Sequence, residues 1–304
     1  MRMHNLTIAE ASFGPQEKGK SLPLPGELKS AATSDFVIPP DTDSLPLESQ
    51  CTLLCLAVTN GDIRMANLIM ESLSRSRVLA SVGFTTQDSS GNGLLQIAAL
   101  YGNLDILVQL LMRGFNINAV DRNHGTALQA AIYMGQMDVC RLLLDWGPPV
   151  QEYENPFSRS RIDIDTQGGY FGCALQVASY KADEILVREL VQLGADVNTT
   201  GGKYGCSLQA AVRTGRMAVV GPILSGAIVN LKAGKYDTAL QAVARGARRK
   251  RTPLPELSRG QPLKQRARDR HDNHVDHKDS NDIDYVVVAD ALFQKGARIV
   301  SPFP

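Results

Sequence analysis

The sequence lacks several features that would assign a protein to a class at once. None of its apolar runs approaches the ~18 consecutive residues of a membrane span. The N-terminus has no apolar core followed by a small-residue cleavage site, so we expect no secretory signal. The five cysteines are odd in number and have no disulfide-framework spacing, which favours a reducing compartment. We therefore expect an intracellular protein, cytoplasmic or alternatively nuclear.

Aromatic residues and net charge are also scarce. Aromatic residues make up 6% of the 304 residues, and the formal net charge is +1. This charge is unevenly distributed, because residues 245–270 hold ten Lys and Arg against two Asp and Glu. Nucleic-acid binding is therefore not expected for most of the chain, whereas the basic segment leaves it open. Its first four adjacent cations, Arg248, Arg249, Lys250 and Arg251, form a candidate nuclear-import signal.

The chain does contain an internal repeat. TALQAA at Thr126–Ala131 recurs as CALQVA at Cys173–Ala178, CSLQAA at Cys206–Ala211 and TALQAV at Thr238–Val243. The central leucines, Leu95 to Leu128 and Leu175 to Leu208, are 33 residues apart, and Leu240 follows after 32. A period of this length is typical of stacked helical repeats, in which each unit buries its apolar face against its neighbours.

A second landmark lies in phase with the first. A glycine closes a leucine-rich run 18 or 19 residues after the leucine, at Gly114, Gly147, Gly194 and Gly226. We predict that each glycine ends a second helix in the left-handed conformation. Thr126 and Thr238 stand where a helix N-cap belongs. Pro222 falls inside one predicted second helix, which we expect to be short or kinked.

This pattern resembles the ankyrin repeat, with Ala or Ser in place of the usual Pro and Gln in place of the usual His. The TALQAA form preceded by GGxYG looks like ankyrin arrays common in filamentous fungi. The resemblance implies an all-α ankyrin-repeat solenoid of stacked helix pairs with finger loops. In such arrays the finger loops and the first helices line the concave surface that grips partners.

The breaks in the pattern predict the domain organisation. We expect a disordered tail over residues 1–50 and an array of about five and a half units over 51–246, with an insertion near 148–161. A polar insert over 247–282 is expected to be disordered, and 283–304 to supply the second helix of the last unit. Whether this insert is real or an artefact of the reading frame stays open at this level.

Two motifs suggest chemistry but have the wrong context. Gly14–Ser21 matches the phosphate-loop pattern GxxxxGK[ST], yet Pro23 and Pro25 follow where that loop requires a helix. His271, His274 and His277 could bind a transition metal, but they lack cysteine partners at zinc-site spacing. We therefore predict no cofactor, no metal site and no catalytic residue.

Two rows of residues are the candidate partner-binding site. Four residues before successive leucines stand His124, Phe171, Tyr204 and Tyr236, the loop row, and Tyr170, Lys203 and Lys235 directly precede its last three members. Five or six residues after the leucines stand Tyr101, Tyr133, Tyr180 and Arg213, the helix row. The loop row could instead pack only on neighbouring loops, whereas we expect the helix row to contact a partner. Tyr and Arg are enriched at interaction hot spots.

These observations favour a non-catalytic protein-interaction scaffold or adaptor. We expect unidentified protein partners, no membrane and a monomer. Three alternatives are retained: a sensor fragment related to NACHT-type NTPases, a nuclear adaptor imported through the basic insert, and an enzyme that uses the His/Asp-rich insert.

Overall fold

The computed structural model describes residues 45–75, 93–146, 161–250 and 284–298, with side chains up to residue 248 in the third range. These residues all fall within one compact unit. The predicted phosphate-loop match, the 148–160 part of the first insertion, the histidine cluster and Arg251 lie outside the described residues.

The described residues form helices in antiparallel pairs. The first helices of the pairs are α1 (Leu47–Asn60), α3 (Leu94–Tyr101), α5 (Ala127–Met134), α7 (Ala174–Lys181), α9 (Ser207–Val212) and α11 (Ala239–Lys250). The second helices are α2 (Ile63–Arg75), α4 (Leu104–Met112), α6 (Met137–Leu144), α8 (Glu184–Gln192), α10 (Met217–Leu224) and α12 (Tyr285–Gln294). The described ranges contain no β-strand, and isolated β-bridges at the finger loops join Gly168 and Gly172, Gly201 and Gly205, and Ala233 and Asp237. The predicted all-α class is confirmed.

Local sequence explains where these helices begin. Thr126 caps α5 in a capping box: its hydroxyl accepts from the Gln129 N–H, while the Gln129 side chain accepts from the Thr126 N–H. Asp183 and Asp284 cap α8 and α12 through their carboxylates. Gly135 ends α5 in the left-handed conformation and lets the chain turn tightly into α6.

The core lies between stacked helix pairs. First helices pack in the order α3, α5, α7, α9 and α11, and α12 packs on both α10 and α11. The alanines of the repeated motif, such as Ala130, Ala131, Ala210 and Ala211, have no exposed surface. Their small side chains let adjacent layers approach closely, and leucines of both helices fill the remaining space.

Glutamine and asparagine side chains join each repeat to the next. The Gln129 side-chain amide donates to the Thr166 and Gly172 carbonyls of the following finger loop, at 2.8 and 2.9 Å. Gln96, Gln176 and Gln209 make the equivalent pair of bonds. Because the amide reaches two carbonyls at once, the glutamine in place of the usual histidine ties the first helix of one repeat to the finger loop of the next.

Side-chain hydrogen bonds of equivalent asparagines show which residues continue the repeat after an insert. Asn198 donates to the Gly226 carbonyl and accepts from Ile228, 28 and 30 residues further on. Asn230 makes the same pair of bonds with Gly296 and Arg298, at separations of 66 and 68 residues. Residues 284–298 therefore occupy the second-helix position of the last repeat.

Two boundaries differ from the sequence predictions. Helix α1 begins at Leu47, inside the predicted tail, because Pro46 precedes it with a fixed φ and Glu48 lies in its first turn. Helix α11 continues to Lys250, inside the predicted disordered insert. Its extra residues include the fully buried Ala247, so the apolar face continues past residue 246.

The glycine prediction holds in part. Gly114 and Gly194 have the expected positive φ of 86° and 91°, and Gly147 lies outside the described residues. The prediction is wrong for Gly226, which does not have a positive φ; its unit reaches the glycine one residue sooner, and the cap Ser225 is still right-handed helical. Helix α10 runs through Pro222 and is as long as α6, so the expected shortening does not occur.

Candidate functional site

The finger loops stack by close backbone approach. The Tyr170 N–H donates to the Asn123 carbonyl, the Lys203 N–H to the Tyr170 carbonyl and the Lys235 N–H to the Lys203 carbonyl, at 3.0–3.2 Å. A Cβ atom on Gly202, at φ +57°, would collide with the Phe171 backbone. The GGxYG sequence is therefore required by the contact between loops.

The stacked loops align their aromatic rings with those of the first helices. Phe171 lies at the centre, with ring centroids 5.5 Å from Tyr133, 4.8 Å from Tyr180 and 6.1 Å from Tyr204. Tyr204 continues to Tyr236 at 5.9 Å, nearly parallel. His124 adjoins Tyr133 at 6.1 Å at the other end. These contacts join seven of the eight predicted partner-binding residues, since Arg213 lies over the same rings. Tyr101, half-buried at the end of α3, has an interaction partner as well.

The loop rings are buried by this packing. Phe171, Tyr204 and Tyr236 keep only 5–8% of their surface exposed. They do not project freely from the fingers, so packing on neighbouring loops, the alternative left open by the sequence, does take place. Tyr170 is the exposed aromatic residue of these loops, and Tyr133 and Tyr180 are half-buried.

Positive side chains cover the rings. The Arg213 guanidinium lies 4.7 Å from the Tyr180 ring centroid and 5.1 Å from that of Tyr204. Lysine ammonium groups lie over Tyr133 (Lys181, 5.2 Å), Tyr170 (Lys203, 4.3 Å) and Tyr236 (Lys235, 5.9 Å). Arg245 lies 5.5 Å from Tyr236. We call these rings and cations the basic aromatic row, consisting of Tyr133, Tyr170, Phe171, Tyr180, Tyr204, Tyr236, Lys181, Lys203, Arg213, Lys235 and Arg245.

Sequence reasoning missed two cations of this row. Arg245 follows Leu240 by five residues, as Arg213 follows Leu208, so the helix-row spacing could have identified it. Lys181 has no such signal, because the last residue of α7 is brought over Tyr133 of the preceding repeat only by the stacking of layers.

Burial in the row shifts the pKa of three of its side chains, Tyr133, Tyr204 and Lys203. Burial raises the pKa of Tyr204 to about 12 despite the opposing effect of Arg213, and burial also raises the pKa of Tyr133. Desolvation lowers the pKa of Lys203, and the nearby charges of Lys235 and Arg213 act in the same direction. Tyr133 and Tyr204 therefore remain hydrogen-bond donors at neutral pH.

The end of the row near His124 has a different loop. Asp121 replaces the glycine turn, and one carboxylate oxygen accepts from the N–H groups of Asn123, His124 and Gly125 at 2.6–3.0 Å. Burial raises the pKa of the Asp121 carboxyl, although these N–H groups and His124 act in the opposite direction. The Asp121 carboxylate therefore fixes the conformation of the loop backbone through these three hydrogen bonds.

The predicted import signal is only partly described. Arg248, Arg249 and Lys250 belong to the last turn of α11, and Arg248 is exposed. No group of three His, Cys, Asp or Glu placed to hold a metal occurs in the four described ranges. None of the helices in those ranges combines the length and hydropathy needed to cross a bilayer.

A family model agrees with this architecture. This family model, described as ankyrin repeats in three copies, matches residues 54–153. A solved structure similar to this chain is the ankyrin repeat domain of Bcl-3, described as a unique member of the IkappaB protein family; the TM-score is 0.49 at 21% identity, over 65% of this chain and 85% of that one. A search among curated proteins found no match.

Ankyrin repeats are typically non-catalytic modules that bind other proteins. The match over residues 54–153 includes the units built on α1 to α6, and the same helix-pair and finger-loop geometry continues through α7 to α12. The chain therefore contains ankyrin repeats, and its described part is an all-α ankyrin-repeat solenoid.

Proposed function

We propose that this protein is a non-catalytic interaction scaffold that binds a protein partner on the face formed by its finger loops and first helices. The observation that carries the proposal is the basic aromatic row, which runs without a break across four successive repeats. Tyr and Arg are the side chains most enriched at interaction hot spots. The rings are held by mutual packing, so little side-chain entropy is lost when a partner binds.

The remaining aspects of the proposal follow from the same residues. All five cysteines are free, which supports a protein of a reducing compartment such as the cytoplasm. A monomer suffices, because one chain supplies the whole row. The exposed Arg248 at the end of α11 keeps a nuclear adaptor as the second candidate.

The test compares two matched surface variants of the full-length chain used as bait. The finger-face variant carries Tyr170→Ser and Lys181→Glu, both at exposed positions of the row. The control carries Ile185→Ser and Arg188→Glu on α8, where Ile185 is 73% exposed. Tyr133 and Tyr180 are unsuitable because they also support Phe171.

Proteins captured from a cell extract are quantified by mass spectrometry. We expect a specific set to bind the native chain and the α8 variant and to be depleted at least tenfold with the finger-face variant. Equal capture by the two variants, or loss only with the α8 variant, would contradict the proposed face.

A further inference from the structure

The basic aromatic row has an excess of positive charge within a short distance. Five cations lie within 6 Å of a ring centroid of the row. In the described ranges no ion pair involves any of these five cations; Arg188 pairs with Glu184, and His124 lies 4.0 Å from Asp121. These cations contact aromatic ring faces and not carboxylates, so the positive charge of the cations is available to a partner.

The polar atoms of the row also favour a negatively charged partner. The Arg213 Nε atom is buried without a hydrogen-bond partner. The tyrosine hydroxyls donate in their neutral form, and ammonium and guanidinium groups are donors only. A carboxylate accepts from all three kinds of group, and such charge-assisted hydrogen bonds are stronger than neutral ones.

The spacing of the row suggests the conformation of the partner. The rings of Phe171, Tyr204 and Tyr236, which hold equivalent positions in successive loops, are 6.1 and 5.9 Å apart. An extended peptide rises about 3.3 Å per residue, so side chains on one of its faces recur every ~6.6 Å. Alternate residues of an extended segment thus match successive repeats.

We propose that the basic aromatic row binds an extended acidic peptide segment of a partner protein, with Asp or Glu at alternate positions facing successive repeats. This inference rests on the proposed interaction function and specifies its partner. Single-stranded nucleic acid fits the same charge less well, since base stacking needs open ring faces. Here the rings of Phe171, Tyr204 and Tyr236 are buried against each other, and cations also lie over Tyr204 and Tyr236.

The experiment measures binding of labelled peptides to the full-length chain by fluorescence anisotropy. The probe is a 12-residue peptide of alternating Glu and Thr; the controls are the Gln–Thr peptide, a peptide with the same residues in two blocks, and a 12-nucleotide oligothymidine. We expect the alternating acidic peptide to bind at least tenfold more tightly than each control. Its affinity should fall steeply between 50 and 500 mM NaCl, because salt screens these contacts.

Two variants with equal charge loss test the location. Lys181→Gln, Lys203→Gln and Lys235→Gln together remove three cations of the row, and we expect at least a tenfold loss of acidic-peptide affinity at an unchanged melting temperature. The control triple, Arg64→Gln, Arg188→Gln and Lys295→Gln, removes three exposed cations on or just after second helices. It should bind as the native chain does.

Several results would overturn the inference. These are absence of acidic-peptide binding at millimolar concentration, equal affinity for the Gln–Thr peptide, tighter binding of the oligothymidine, or equal losses in the two triples. If partner capture depends on the finger face but the acidic peptide does not bind, the acidic partner is wrong and the interaction function stands. If the finger-face variant captures partners as well as the native chain does, the proposed function is wrong as well.

Discussion

The glutamine bridges between repeats make a quantitative prediction about stability. Gln129 and Gln176 hold the same position in successive repeats and are both buried. The Gln129 amide donates to Thr166 and Gly172, and its oxygen accepts from the Thr126 N–H at 3.2 Å. The Gln176 amide makes longer bonds, at 3.0 and 3.4 Å, and its oxygen is buried without a partner.

Replacing each glutamine by methionine keeps the volume and removes these bonds. Gln129→Met deprives the Thr166 carbonyl and the Thr126 N–H of the partner it supplies, whereas the Gly172 carbonyl keeps its bond from Gly168 at 2.7 Å. Two groups that lose a partner at about 1–2 kcal/mol each predict a loss of about 3 kcal/mol. Gln176→Met leaves only the Thr199 carbonyl without its hydrogen bond, and it also removes the unpaired side-chain oxygen of Gln176. We therefore expect the free energy of unfolding to fall by about 1 kcal/mol.

The assay is equilibrium urea unfolding of the full-length chain, followed by far-ultraviolet circular dichroism with the slope of the transition as a check on cooperativity. The matched control is Gln241→Met, at the equivalent position of α11, where no finger loop follows within the described residues; it should change the free energy of unfolding by less than about 0.5 kcal/mol. Equal losses for Gln129→Met and Gln176→Met, or a larger loss for Gln176→Met, would refute this account of the bridges.

Three further predictions concern loops, rings and thiols. Gly202→Ala should destabilise the fold well beyond Gly135→Ala, because both glycines have positive φ but only Gly202 lies against a neighbouring backbone; urea unfolding should give about 1 kcal/mol for Gly135→Ala. Phe171→Ala should lower the free energy of unfolding by about 3–5 kcal/mol, and Phe171→Leu by under about 1.5 kcal/mol. Iodoacetamide at pH 8 should alkylate Cys51 before Cys173, since burial raises the pKa of the Cys173 thiol to about 11.

Each of these has a result that would contradict it. Equal losses for the two glycine variants would mean that loop contact is not what selects glycine in GGxYG. A loss below about 1 kcal/mol for Phe171→Ala would mean that the aromatic row does not act as a packed unit. Equal labelling of Cys51 and Cys173, measured by mass spectrometry of tryptic peptides, would mean that the N-terminal end of α7 opens readily.

Much of the fold could be predicted from the sequence because the period of a repeat is visible in the spacing of its recurring residues. The leucine spacing shows the period directly. The caps at Thr126 and Thr238 and the glycines at Gly114 and Gly194 are local signals, each decided within one helical turn. Helix boundaries that depend on tertiary packing were harder to predict from the sequence. Helix α11 continues past residue 246 because Ala247 is buried in the array, and no local signal reports that burial.

The site divides in the same way. The positions of Phe171, Tyr204 and Tyr236 relative to the leucines followed from the sequence, but whether these rings reach solvent or pack on each other did not. Nor did the sequence reveal the role of the glutamines, since their partners are the backbone carbonyls of loops 22–43 residues away.

The sequence by itself therefore determined the repeating unit, its helices and the residue types along one edge of the array. Only the tertiary structure decided that Lys181 joins this edge, that the loop rings are buried and that burial raises the pKa of Tyr204. The physical reason is distance: caps and periodicity arise between residues close along the chain, whereas burial and clustering of charge arise between residues brought together by stacking one repeat on the next.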